Sequence, residues 1–388
     1  MGGSALSKNE AAAHGWRSGS GRLYSDDGSF RNSHNMTRIY LDHAATSPLR
    51  PEARAAMAEG FAIWANPSSP HAEGRKARAA LEDARARVKV ELGWEGEVIF
   101  TSGASEAAAL ALHGAKAGQR MLGATEHDAL RRAAPEAVIL PVLANGAIDL
   151  VMLEAALLAH PGALVAVQSL NSETGNWLDV AEVGGRVRAA GGRLLVDASQ
   201  SAAKYKLGDY GDMAIIAAHK FGGPVGVGAL LVRDYAMLEP TGGHERGYRR
   251  GTENLPGVLG MAAALEVGGE PYLAWDCSAA TEALAAQVRE AGGVWLGDRL
   301  DAPTSYIHAI AMPGMSATAQ VMRFDMMGFA VSQGSACSSG SMKTSAVLGA
   351  MGVEPDVAAR TIRVSLGWNT TEAQVEAFAA AWLAMASG

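Results

Sequence analysis

From Val98 to Val232 the apolar positions fall into short unbroken runs rather than alternating ones. The runs Val98–Ser102, Arg120–Ala124, Ala137–Leu143, Leu164–Leu170, Arg193–Asp197, Met213–Ala217 and Gly228–Val232 have strand length. Stretches with three- and four-residue apolar spacing surround or separate most of them: Glu52–Trp64, His71–Leu92, Ser105–Ala115, Leu150–His160 and Val180–Ala190. Continuous apolar strands are buried on both faces, and intervening helices supply the crossovers of a mainly parallel sheet. The rhythm changes near Leu255, where helices are predicted at Leu255–Leu265, Ala279–Ala291, Thr318–Met327 and Thr371–Ala386, with strands at Tyr306–Ala311 and Ile362–Leu366. The pattern predicts an α/β fold: a large domain with a mainly parallel, seven-stranded-type sheet over 50–255. A smaller α+β domain takes 37–49 and 256–388. A chain of 388 residues suits two domains.

Residues 1–36 carry no apolar period. Gly2-Gly3-Ser4 and Ser18-Gly19-Ser20-Gly21 are linker-like, so the segment reads as a flexible tail or as an added, non-native stretch, with Met36 as a natural start. With 48% hydrophobic and 19% charged residues the chain can bury a core. The net charge of −7, without a basic block, argues against nucleic-acid binding. No apolar run is long enough to span a bilayer, and no secretory signal is visible. Two cysteines, Cys277 and Cys337, exclude a disulfide framework and point to a reducing cytoplasm.

The polar residues that interrupt the strand ends carry the chemistry. Lys220 follows the run Met213–Ala217 and precedes Gly222-Gly223, so it stands at a strand end, where open α/β sheets bind ligands. A lysine there can bond an aldehyde if burial or nearby cations lower its proton affinity. Asp197 ends another apolar run and can hold a pyridine nitrogen protonated, with Gln200 one turn on. Ser102-Gly103-Ala104-Ser105 joins a strand to a helix, where free N–H groups at Ala104 and Ser105 suit a phosphate. His127 can stack on a flat ring and shuttle protons, and Asn171 reaches the same rim. Arg363, in the apolar run Ile362–Leu366, needs a partner, either an internal acid or a substrate carboxylate.

Cys337 lies in Gln333-Gly-Ser-Ala-Cys337-Ser-Ser-Gly-Ser341, a stretch too polar and glycine-rich for a core strand. An exposed thiol on a loop can reach a substrate and later a partner, attacking as the thiolate. Amine, acid, amide and thiol together suggest an enzyme that uses pyridoxal phosphate (PLP) to move sulfur.

The ordered motifs Tyr40-Leu-Asp-His-Ala-Ala-Thr46, Asn66-Pro-Ser-Ser69, Thr101-Ser-Gly-Ala-Ser-Glu106, Thr125-Glu-His127, Asn171-Ser-Glu-Thr-Gly175, Val196-Asp-Ala-Ser-Gln-Ser201, Ala218-His-Lys220, Arg250-Gly-Thr-Glu-Asn254 and Gly334-Ser-Ala-Cys337 cover essentially all of 38–388. In these the chain resembles the cysteine desulfurases among class V, fold-type I PLP enzymes, in the group serving iron–sulfur assembly and nitrogen fixation. The resemblance implies that Lys220 anchors PLP and moves protons. Asp197 would pair with the ring nitrogen, Gln200 with the phenolate oxygen, and His127 with the ring face. Ala104, Ser105 and His219 would hold the phosphate, with Thr252 reaching that of a second subunit in a homodimer. Asn171 and Arg363 would grip the carboxylate of L-cysteine, and Cys337 would take the sulfur and pass it to an acceptor such as an iron–sulfur scaffold protein. Two other expectations stand beside it: a selenocysteine lyase or other class V lyase, and a sulfur-relay or scaffold protein with little activity. The chain departs from the family at Ala217, where a hydroxyl residue usually donates to the phosphate, at Ala107-Ala108, and in a shorter stretch after Gly268.

Overall fold

A computed structural model describes residues 38–387, apart from 207, 270–271, 273–277 and 335–344. Twelve strands are assigned among these residues. Seven of them make the central sheet: β2 (Glu97–Thr101), β3 (Arg120–Gly123), β4 (Val138–Leu140), β5 (Leu164–Gln168), β6 (Arg193–Asp197), β7 (Met213–Ala217) and β8 (Gly228–Val232). Their order is β2-β8-β7-β6-β5-β3-β4. Every strand but β8 points the same way, because β8 runs antiparallel to both β7 and β2. The carboxyl ends of the other six strands therefore share one edge, and each candidate residue from Ala104 to Lys220 follows such an end.

Alternate residues of each strand serve opposite faces, as the pleat requires. Phe100, Val165, Val167, Val196 and Ile216 face α1 (Pro51–Ile63), α2 (Ala72–Leu92), α5 (Leu150–Ala159), α6 (Val180–Ala189) and α7 (Leu255–Glu266). Ile99, Leu122, Ala166, Leu195 and Ile215 face α3 (Ala104–Gly114) and α4 (Asp128–Ala133). A separate apolar cluster joins Leu41, Ile310, Ile362, Phe378 and Trp382, built on β10 (Ile307–Ala311), β12 (Thr361–Ser365) and the helices Ala279–Glu290, Ala317–Met326 and Glu372–Ala386. β10 is the centre of an antiparallel sheet, β12-β10-β9, with β9 at Val294–Trp295. β1 (Ile39–Tyr40) pairs in parallel with β11 (Phe329–Ala330), which brings the N-terminal segment back to the later part of the chain.

Most sheet runs and long helices lie within a residue or two of where the apolar pattern put them; the run Ala137–Leu143 yields only the three-residue β4, because Pro141 follows Leu140 and the chain turns away there. β1, β9 and β11 are two residues long, too short to leave a periodic signal. The 1–36 tail, Cys277 and the Cys337 loop lie outside the described residues.

Candidate active site

Lys220 closes a single turn of 3-10 helix, Ala218–Lys220, after β7. The turn depends on glycine: Gly222 has φ +89°, and a Cβ there would lie 2.6 Å from Arg50 Cγ. Arg50 is buried, donates to Phe221 O at 3.1 Å and Gly268 O at 3.1 Å, and so fixes the chain just beyond Lys220. The Lys220 amine donates to Ala44 O at 2.7 Å and Ala45 O at 3.0 Å. Two carbonyls from the N-terminal segment thus aim it along the sheet edge.

Asp197 ends β6 between β5 and β7. One carboxylate oxygen accepts the Ser199 N–H at 2.9 Å, so the residue caps its own turn. Gln200 is buried, and its Nε2 donates to Ala44 O at 2.8 Å. His127 caps α4, with Nδ1 accepting the Ala129 N–H at 3.1 Å. In the neutral ring the proton therefore sits on Nε2. Burial lowers the His127 pKa first of all; Asp197 opposes that and Lys220 adds to it, so all three groups share one field.

The N-terminus of α3 offers the free N–H groups of its first turn, while Ala107 N already bonds Gly103 O. Gly228 lets β8 pass close to this turn, since a Cβ there would lie 2.7 Å from Gly103 Cα, while a Cβ built on Gly103 would meet nothing within 4 Å, so the turn itself faces open space. Glu106 accepts the Ser102 N–H at 2.5 Å and pairs with Arg249 at 2.9 Å, tying the helix to the loop that carries Thr252. Ala217 is buried and adds no hydroxyl. His219 Nδ1 meets Thr46 Oγ1 at 2.9 Å. Burial, then Lys220 and Lys204, push the His219 pKa down to about 4, so it is neutral at neutral pH. An amine, a carboxylate, an imidazole and a helix end kept clear of Cβ atoms fit a phosphorylated pyridine aldehyde.

Asn171 forms an Asx turn beyond β5: Oδ1 accepts the N–H groups of Glu173 at 2.9 Å and Thr174 at 2.8 Å, and Nδ2 donates to Thr125 O at 3.4 Å. Arg363 stands in mid-β12 and is 3% exposed. It has the internal acid that the sequence left open, donating to Asp42 at 2.8 Å and also to Ser172 O at 2.9 Å. Its Nε is buried without an acceptor among the described residues. Arg363 lines a cavity of about 380 Å³ with Glu173, Gln333, Gly334 and Ser345. Gly334 and Ser345 flank the stretch that holds Cys337, and the Ser345 hydroxyl donates to Glu173 at 2.5 Å. Thr252 is exposed, and none of the described contacts joins it to the cluster.

Residue-by-residue reading of the sequence missed four contributors. Asp42 and Thr46 come from the N-terminal segment and gained no role of their own. Glu126 is buried and accepts the Gln168 N–H at 2.8 Å, and burial, then Asp197, raise its pKa well above the carboxylate range. Lys204 is 1% exposed. Its four-residue spacing from Gln200 was the available signal.

The family described as aminotransferase class-V matches residues 39–378. The chain is 36% identical over 366 residues to the cysteine desulfurase of Cereibacter sphaeroides, covering 88% of this chain and 94% of that one. It is 33% identical over 372 residues to the putative cysteine desulfurase IscS 1 of Bacillus subtilis, covering 88% and 96%. The chain belongs to the cysteine desulfurases of the class-V aminotransferase family. Members of this family are PLP enzymes, which agrees with the donor set of the site. Among solved structures, this desulfurase is similar to a NifS-like protein from Rickettsia africae, with TM-score 0.82, 27% identity, and 90% and 100% of the two chains covered. It is also similar to a structure described as SspA in complex with cysteine, with TM-score 0.70, 28% identity, and 84% and 98% covered. The central sheet accords with these NifS-like folds.

Proposed function

We propose that this protein is a PLP-dependent cysteine desulfurase that converts L-cysteine to L-alanine and leaves the sulfur as a persulfide on Cys337. The observation that carries the reading is the shared field of Lys220, Asp197 and His127 at one sheet edge, beside the N-terminus of α3. Lys220 anchors the cofactor aldehyde and moves protons at the substrate α carbon. When bound, the cofactor supplies an electron sink for the pair left at that carbon. Asp197 keeps the ring nitrogen protonated, and Gln200 donates to the ring oxygen. His127, whose Nδ1 is taken by the Ala129 N–H, would lie against the ring face when the cofactor is bound. Ala104 and Ser105 offer N–H groups to the phosphate, alongside His219 and Thr46.

Asn171 and Arg363 hold the substrate carboxylate, for which the unpartnered Arg363 Nε is a ready donor. The Cys337 thiolate attacks the substrate sulfur. The carbon–sulfur bond breaks, a sulfur–sulfur bond forms on Cys337, and the pair left on carbon takes up protons to give L-alanine. The persulfide sulfur then passes to an acceptor protein, such as an iron–sulfur scaffold, in the cytoplasm. The proposal includes a homodimer in which Thr252 reaches the phosphate of the second subunit. It includes the division at 50–255 against 37–49 and 256–388, supported by separate apolar clusters, with α7 packed on the larger one.

Intact mass after incubation with L-cysteine tests the reading: one added sulfur, mapped to Cys337, is expected. With an added dithiol as reductant, a Cys337→Ala variant that makes alanine and sulfide at the parent rate would remove the thiol from the reaction and turn attention to the selenocysteine lyase alternative. The relatives do not favour that alternative or a scaffold role.

A further inference from the structure

Lys204 is a second lysine in the site, and the reaction as described gives it nothing to do. Its side chain is buried between the rings of Tyr272 and Tyr306, with Nζ 5.2 Å and 5.0 Å from the ring centroids. Its Nζ lies 3.4 Å from Gln200 Oε1. The other end of that amide, Gln200 Nε2, lies 2.8 Å from Ala44 O, the carbonyl that also takes the Lys220 amine at 2.7 Å. One carbonyl, two side-chain donors and one amide thus link the two lysines.

Local backbone holds this arrangement. After Asp197 the chain winds through tight turns, with Ala202 N bonded to Ala198 O at 2.8 Å and Lys204 N to Ser201 O at 3.0 Å. That winding puts Gln200 and Lys204 on the same side. It also forces Ala203 to φ +63°, a conformation that costs an alanine about 1 kcal/mol or more. Tyr306 Oη donates to Gln200 O at 3.0 Å, so the ring that covers the amine also pins the glutamine backbone.

An amide can be rotated end for end with little change of shape. In the observed orientation its oxygen faces a donor and its nitrogen faces an acceptor. Reversed, the oxygen would face Ala44 O and the nitrogen would face the lysine. The contact to Ala44 O would then be lost, and the amide N–H groups would face those of the lysine. We propose that Lys204 is a positioning residue, whose amine fixes the Gln200 amide with Nε2 turned toward the cofactor edge. The inference rests on the reading that Gln200 donates to the ring oxygen.

The surroundings lower the proton affinity of this amine. The charges that act on Lys204 are those of Lys220, Arg363 and Arg50, and His43 and His219 lie within its field. Burial, then these cations, hold the amine well below the usual lysine range. Filling the aromatic slot would need only an apolar chain of similar length, and Lys204→Met separates the two roles.

The test is a pH titration of the visible absorbance of the PLP-loaded protein, with four forms compared: parent, Q200A, K204M and the double variant. Loss of a donor on the ring oxygen raises the midpoint, by about one unit for Q200A. K204M is expected to raise it by about half a unit or more, a threefold or larger change in proton affinity. In the Q200A background K204M is expected to add nothing. Apoprotein melting temperatures check that the variants are folded, and Lys204→Leu carries the same expectation if K204M does not accumulate. A parent-like midpoint in K204M, beside a shifted Q200A, overturns the role of Lys204 alone. So does a K204M shift that persists undiminished in the Q200A background. If Q200A itself titrates like the parent, the placement of Gln200 fails, and this inference fails with it.

Discussion

Replacing Arg363 by lysine separates charge from shape at the substrate end of the site. The guanidinium spends one nitrogen on Ser172 O and one on Asp42, and its Nε has no acceptor among the described residues. A substrate carboxylate would take that donor. A lysine keeps the positive charge but has one compact head, and cannot satisfy Asp42, Ser172 O and the substrate from the same directions. The loss is one charge-assisted hydrogen bond, about 1.5–3 kcal/mol, or roughly 10- to 150-fold in kcat/KM. Most of it falls on KM, because the carboxylate is gripped before and during the reaction alike. The assay is alanine formation from L-cysteine and from its methyl ester. The parent is expected to prefer the free acid strongly, and R363K to lose most of that preference while keeping its visible cofactor absorbance. Parent-like kcat/KM for cysteine, within about threefold, would refute the reasoning, and so would an unchanged preference between acid and ester.

Other outcomes follow from the same geometry. Arg85→Met leaves Glu245, whose side chain is 1% exposed and bonded to Arg85 at 2.8 Å and 3.0 Å, as a buried charge with the Phe100 N–H for company. Denaturant unfolding should show a loss of about 3–5 kcal/mol, and a loss below about 1 kcal/mol would mean the site relaxes or takes in water. Burial pushes the His308 pKa down to about 4, so the folded state resists a proton that the unfolded chain takes up near pH 6.5. The folded state therefore loses stability as pH falls from about 6.5 toward 4, by up to about 1.4 kcal/mol per unit from this residue. His308→Asn should flatten the slope by that amount, and an unchanged slope between pH 6 and 5 would place the ring in contact with solvent. Ala217→Ser restores a hydroxyl at the end of β7, and equilibrium dialysis should show PLP held about fivefold more tightly, near 1 kcal/mol. Equal retention by the two proteins would show that Ala217 lies out of reach of the phosphate.

Much of the fold is written locally. β6, β7 and β8 begin and end where the apolar runs do, because strands buried on both faces admit no polar residue until the sheet edge is reached. The same rule made Asp197 and Lys220 conspicuous, as did the glycines that Lys220 precedes. Short elements were not legible. α4 is six residues long, yet it is capped by His127 and so orients that imidazole. The reversal of β8 was equally hidden, since an apolar run has no direction.

The sequence by itself determined the parallel sheet, the residues at its carboxyl edge and the family to which they belong, because apolar periodicity and ordered motifs are properties of neighbouring positions. Tertiary structure decided the partners. Asp42 reaches Arg363, the carbonyls of Ala44 and Ala45 receive Lys220, and Lys204 comes to lie behind Gln200 between two tyrosine rings. Segments far apart in the chain make most of these contacts. What joins them is the burial of polar groups that must find partners once water is gone, and that requirement acts only in the folded chain.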